Sequence, residues 1–108
     1  MTAQIIPVAI MAGESLSAPL DCSAGDVAFV LMPGEWDGAN LTFQVSSDGV
    51  TWWDLYEATG DEVMVGCKPA VAVRVRASLG GVGYLKIRSG RSAEPTPQSE
   101  NRNFKIVF

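Results

Sequence analysis

Apolar residues recur in this chain with a period of two along nearly its whole length. Successive side chains of a strand point to opposite faces, so this spacing turns one face of each segment inward and the other outward. No window of twelve or more residues carries a helical stripe. The clearest case is Leu41, Phe43 and Val45, which alternate with Thr42, Gln44 and Ser46. After Ser47-Asp48-Gly49 the returning run Thr51-Trp52-Trp53-Asp54-Leu55-Tyr56 is rich in residues that suit a pleated surface. Asp-Gly is a hairpin turn signal because glycine accepts positive φ, so residues 41–56 read as a β-hairpin.

The same reading sets the other strands. Gln4 to Met11 is the first, and Pro7, which lacks an N–H, marks it as an edge or bulged strand. A short strand follows at Leu16 to Leu20. Asp26 to Met32 is almost continuously apolar, as expected of a strand covered on both faces, and Pro33-Gly34 ends it. A turn at Ala58 to Asp61 leads into Glu62 to Gly66. Val71, Val73 and Val75 then alternate with Ala72, Arg74 and Arg76, and Gly80 to Gly83 turns into the strand Tyr84 to Arg88. Residues 89–102 hold Ser, Gly, Glu, Gln and two prolines and read as a long loop before the final strand, 103–108. Phe104, Ile106 and Phe108 share one face of that strand, which must pair or be covered. Eight or nine strands in 108 residues predict one all-β domain, 1–108, an antiparallel β-sandwich of the jelly-roll type with two four-stranded sheets. An immunoglobulin-like sandwich is the alternative, since Cys22, Trp36 and Cys67 keep the Cys…Trp…Cys order. Trp36, however, falls in a loop rather than on a strand.

Composition narrows the chemistry. The chain has no histidine, which removes Ser-His-Asp and Cys-His catalysis and imidazole metal sites together. Twelve acids against eight bases disfavour duplex nucleic acid as a partner. No apolar stretch is long enough for a membrane span, and Met1-Thr2-Ala3-Gln4 lacks the basic start of a secretory signal. Cys22 and Cys67 are therefore expected as reduced thiols, and neither belongs to a CxxC pair. The charges are segregated. Residues 1–67 hold ten acids and no base, whereas residues 68–108 hold all eight bases and only Glu94 and Glu100. Either the halves form complementary surfaces for association, or they interleave in one sandwich and neutralise each other.

Candidate chemical groups are few. Paired carboxylates would suit glycoside hydrolysis, but Asp48 is explained by its turn and Asp54 by the wet face of its strand. Asp37-Gly38-Ala39-Asn40 and Asp48-Gly49 offer oxygen donors for calcium without matching the spaced loop that calcium sites use. No catalytic, cofactor or metal residue is assigned, and the chain is expected not to be an enzyme. Trp52 and Trp53 are adjacent on a strand and cannot both enter one core. With Trp36 and Tyr56 they are candidate anchors of a protein interface or stacking platforms for sugar rings. Arg74 and Arg76 share a strand face, and with Lys86 and Arg88 they would make a basic strip if their strands paired. Such a strip suits solvent or an acidic protein surface. Phe104 and Phe108 of the closing strand complete the candidate interface.

Two resemblances rest on these residues. The hairpin Phe43-Gln44-Val45-Ser46-Ser47-Asp48-Gly49-Val50-Thr51-Trp52 resembles the strand–turn–strand of discoidin-type carbohydrate- or lipid-binding sandwiches. Over most of the chain, Ile6-Pro7-Val8-Ala9-Ile10, Met32-Pro33-Gly34-Glu35-Trp36-Asp37-Gly38-Ala39-Asn40-Leu41-Thr42-Phe43-Gln44-Val45, Trp53-Asp54-Leu55-Tyr56 and Tyr84-Leu85-Lys86-Ile87-Arg88-Ser89-Gly90 resemble small proteins encoded among the head genes of tailed bacteriophages and prophages. That resemblance implies a jelly-roll decoration or cement protein, made in the host cytoplasm and bound to the exterior of the virion capsid. Its partners would be the major capsid protein and its own copies, as a dimer or trimer. It implies no cofactor, no nucleic acid and no membrane. A carbohydrate-binding module of a head or tail fibre, taking a glycan on Trp36, Trp52 or Trp53, and a tail or connector component are the alternatives.

Overall fold

The alternating segments pair into two antiparallel sheets of four strands each. The computed structural model describes residues 4–23, 25–75 and 79–108. In chain order the strands are β1 (Ile5–Ile10), β2 (Leu20–Asp21), β3 (Phe29–Leu31), β4 (Leu41–Ser46), β5 (Trp53–Asp54), β6 (Ala72–Arg74), β7 (Tyr84–Ser89) and β8 (Arg102–Val107). One sheet has the order β1-β8-β3-β6 and the other β2-β7-β4-β5. The chain crosses repeatedly between the sheets, and its first and last strands are neighbours. This is the strand order of a jelly roll. The immunoglobulin alternative falls away: Cys22 and Cys67 are unpaired thiols, and Trp36 lies off the strands.

The core is made by the inward residues of both sheets. Ile10, Val30, Phe104 and Ile106 come from the first, and Leu41, Phe43, Leu85 and Ile87 from the second, all fully buried. Trp36 joins them from its loop. Its ring meets Phe104 edge-on at 5.5 Å between centroids, and its indole N–H donates to the Ala39 carbonyl at 2.9 Å. A buried indole needs such a partner for its one polar atom. Trp36 and Phe104 are thus core residues rather than surface anchors, and Phe108 packs half-buried against the same core.

The edge position expected from Pro7 is found, since β1 pairs only with β8 and Pro7 stands opposite Lys105. The Leu41–Tyr56 hairpin forms, but its ladder is short, pairing only Gln44 with Asp54 and Val45 with Trp53. Its connection is long because side chains replace strand hydrogen bonds there. The Ser46 hydroxyl accepts from the Gly49 amide at 2.8 Å, and the Asp48 carboxylate accepts from the Val50 and Thr51 amides. Of the strand expected at Leu16–Leu20, only Leu20 joins β2, with Leu16 making a single bridge to Arg88. Residues 62–66 likewise make isolated bridges, Glu62 to Tyr56 and Val65 to Leu41. The expected basic strip does not exist, because β6 and β7 belong to different sheets. Arg76 lies outside the described residues.

The loop expected at 89–102 runs from Gly90 to Asn101, because β7 extends through Ser89 and β8 begins at Arg102, and it is tied down at both ends. Gly90 bridges Pro95, and the Thr96 amide donates to the Ser89 carbonyl at 2.8 Å, which folds the first half back on itself. This fold requires glycine at position 90, where φ is +87°. A Cβ there would lie 2.6 Å from the Thr96 amide nitrogen, 2.8 Å from the Thr96 hydroxyl and 2.9 Å from the Glu94 carbonyl oxygen, and the two backbone atoms cannot swing aside. Gly90→Ala is therefore expected to cost more than the ~1 kcal/mol of an ordinary strained turn and to lower the urea midpoint clearly. Gly34→Ala, where nothing lies within 4 Å, serves as the control and should leave the midpoint nearly unchanged.

Candidate functional site

The charged residues that look most available in the sequence are largely consumed by the fold. Arg88 on β7 and Arg102 at the start of β8 have side chains only 7% exposed. A buried guanidinium is tolerated only with its donors paired. Arg88 donates from Nε to the Thr42 hydroxyl at 3.0 Å, from Nη1 and Nη2 to Asp54 at 2.8 and 2.9 Å, and from Nη2 to Glu62 at 3.3 Å. The Thr42 hydroxyl in turn donates to the Gly90 carbonyl at 2.6 Å, and the Glu62 carboxylate accepts from the Ser92 amide. One cation therefore binds β4, β5, the 62–66 segment and the start of the long loop.

Arg102 organises the other end of that loop through Gln98, which is fully buried. The Gln98 side-chain oxygen accepts from Arg102 Nε at 3.1 Å and from the Asp37 amide at 2.9 Å. Its Nε2 donates to the Asp37 carbonyl and to the Ser89 hydroxyl. Its backbone accepts from Gly13 and donates to Glu14. Asp37 completes the cluster, accepting from Arg102 Nη2 at 3.1 Å and from the Ser99 amide at 2.6 Å. Among the described residues, no buried side-chain nitrogen or oxygen lacks a partner.

This pairing decides what the acids can do. The Ser99 amide, and then the Arg102 charge, hold the Asp37 carboxyl below the usual aspartate range. The Thr51 and Val50 amides do the same for Asp48. Both are stable anions facing backbone amides rather than poised proton acceptors. The loops considered for calcium are thus already closed around Arg102 and around a turn, and no cluster of three metal-ligating residues occurs among the described residues. Cys22 is buried, and its thiol is pushed up to about 11 by desolvation and then by Asp21 and Asp26. Burial also raises Cys67, whose thiol donates to the Ala39 carbonyl. Neither cysteine has the thiolate character that reactivity needs.

Of the aromatic candidates, neither Trp52 nor Trp53 enters the core. Trp52 is half-buried under Lys86, whose ammonium sits 4.4 Å from its ring. Trp53 on β5 is 64% exposed, Val50 in the preceding turn 81%, and Tyr56, two residues past β5 and bridged to Glu62, 52%. Trp53 borders a shallow depression of about 520 Å³ with Val45, Leu55 and Val82 among its walls. Arg74 is exposed, its guanidinium over Phe29 at 5.6 Å.

A second surface escaped the sequence reading. The register of the first sheet lays Ile5, Val107, Phe29 and Arg74 in one row across its outer face, and Pro7, Lys105, Leu31 and Ala72 in the next. Ala9 and Asn103 begin a third. The outer face of the second sheet instead carries Thr42, Gln44, Asp54, Lys86 and Arg88, its charges largely paired. The signal for the apolar face was present in the unbroken run Val27 to Met32, whose outward members, Phe29 and Leu31, a half-wet strand would have made polar.

The chain matches no protein-family model, no curated protein and no solved structure. Its fold class therefore rests on its own strand order, that of a jelly-roll β-sandwich. The Arg88 cluster gives a direct test of what holds the second sheet to its loops. Arg88→Met removes the cation that faces Asp54 and the mostly buried Glu62 and is expected to cost about 3–5 kcal/mol in denaturant unfolding. Adding Glu62→Gln should recover part of the loss, with a coupling of roughly 0.5–3 kcal/mol in the double-mutant cycle.

Proposed function

We propose that this protein is a non-enzymatic structural subunit of a tailed-phage virion, a decoration or cement protein bound to the outer surface of the capsid. The observation that carries the reading is that a jelly roll with its buried charges paired internally exposes Val50, Trp53 and Tyr56 at and around β5, and Ile5 on the outer face of the first sheet, where Phe29, Leu31 and Val107 are only half-buried. Large exposed apolar patches mark protein contacts. Cement function needs such surfaces and no reaction chemistry, because it acts by covering the junctions between shell subunits. Many copies acting together allow each contact to be modest. The sequence resemblance to phage head-gene proteins supports the same role. Mass spectrometry and electron microscopy of purified particles from the encoding phage or prophage test it. The expected result is this chain on the shell exterior in fixed ratio to the major capsid protein, and its absence from particles contradicts the role.

A second reading draws support from Trp53. An exposed indole beside a shallow depression is an arrangement on which a sugar ring stacks. Glycan-array binding that Trp53→Ala abolishes would favour a carbohydrate-binding role, and a blank array would remove it.

A further inference from the structure

We propose that the outer face of the first sheet is a docking surface for a second copy of this chain, which presents its β5 edge there, so that copies join head to tail. The inference does not require the shell-binding role. It begins with an unmet requirement. The sequence of β3 is that of a strand covered on both faces, yet its outward residues Phe29 and Leu31 do not pack against the core and stay only half-buried, as does Val107, and Ile5 beside them is exposed. Seven of the ten residues on the three rows are apolar, namely Ile5, Pro7, Ala9, Phe29, Leu31, Ala72 and Val107. A half-wet sheet alternates apolar-in and polar-out, and this one does not.

Charge selects the partner. Among the described residues, the ionisable groups on those rows are Arg74 and Lys105, both cations. Two copies meeting face to face would oppose cation to cation, which disfavours a two-fold contact through this face. The β5 edge has the complementary make-up. Val50, Trp53 and Tyr56 are exposed apolar groups, flanked by the exposed carboxylates Asp48 and Glu57. The neighbouring cations are already engaged, Arg88 by Asp54 and Lys86 by the Trp52 ring. Apolar area with an acidic rim thus fits apolar area bearing cations, and Trp and Tyr are the residues that anchor such contacts. Because the two surfaces differ, the contact is heterologous and closes into a ring or propagates as a filament.

Sedimentation velocity and light scattering on the purified full chain test this at low and high salt. Wild type is expected to self-associate and to loosen as salt rises. Lys105→Glu and Glu57→Lys change exposed side chains outside the core, and each alone should weaken association by roughly tenfold or more, the effect of a little over 1 kcal/mol. The double variant Lys105→Glu/Glu57→Lys should regain wild-type association, because its acidic face then meets a basic edge in every copy. Unchanged circular dichroism and melting separate this from loss of folding. A monomeric wild type, single variants that associate like wild type, or a double variant that does not recover would each overturn the proposal. Binding of the monomer to anionic vesicles through the Ile5 and Lys105 face would assign that face to lipid instead.

Discussion

Two buried guanidinium groups govern how this chain can fold. Arg88 and Arg102 cannot lie inside a protein without anionic partners, since an unpaired buried charge costs several kcal/mol. Their partners are Asp54, Glu62, Glu35 and Asp37, all from the first 67 residues, whereas both arginines come from the last 41. For these two arginines the segregation of charge along the sequence is resolved inside one subunit. The jelly roll threads late strands between early ones, placing β7 beside β4 and β8 between β1 and β3. That threading brings the basic segment into contact with the acidic one.

The arginines also give order to segments that strand pairing does not reach. Residues 89–102 carry little apolar surface, and few hydrogen bonds of sheet type cross them. Thr42, Glu62 and Asp37 supply the missing contacts, each holding an arginine at one side and loop backbone at the other, and Gln98 of the loop itself bonds Arg102 and the Asp37 backbone. The outer face of the second sheet is consequently polar and internally satisfied. The outer face of the first sheet has no such network and remains apolar. This asymmetry between the faces directs the functional reading toward surface burial by partners.

The architecture was legible in the sequence where a segment makes its own argument. Period-two alternation, the Asp48-Gly49 turn and Pro7 located strands, a hairpin and an edge strand without reference to the rest of the chain. What local spacing could not provide was partnership between distant strands. Arg88 alternates with Ile87 like any outward residue, and nothing nearby in sequence reveals that Asp54 and Glu62 will close over it. Trp36 sits in a Pro-Gly loop, and its burial against Phe104 depends on a contact 68 positions away. The basic strip expected from Arg74 and Lys86 failed for the same reason, since adjacency in the chain was read as adjacency in a sheet. The apolar run through β3 was recognised as needing cover on both faces. Among the described residues its outer side is covered only in part, with Phe29 and Leu31 half-buried and the Arg74 guanidinium over the Phe29 ring.

The central claim is that the paired arginines make the long loop part of the cooperative fold rather than an appendage to it. Native-state amide hydrogen exchange measures this most directly. The amides of Gly13, Ser92, Thr96 and Gln98, each bonded within or against this loop, should exchange only through global unfolding, with the same free energy as the amides of β4 and β7. Rapid exchange at those four positions while both sheets stay protected would contradict the account.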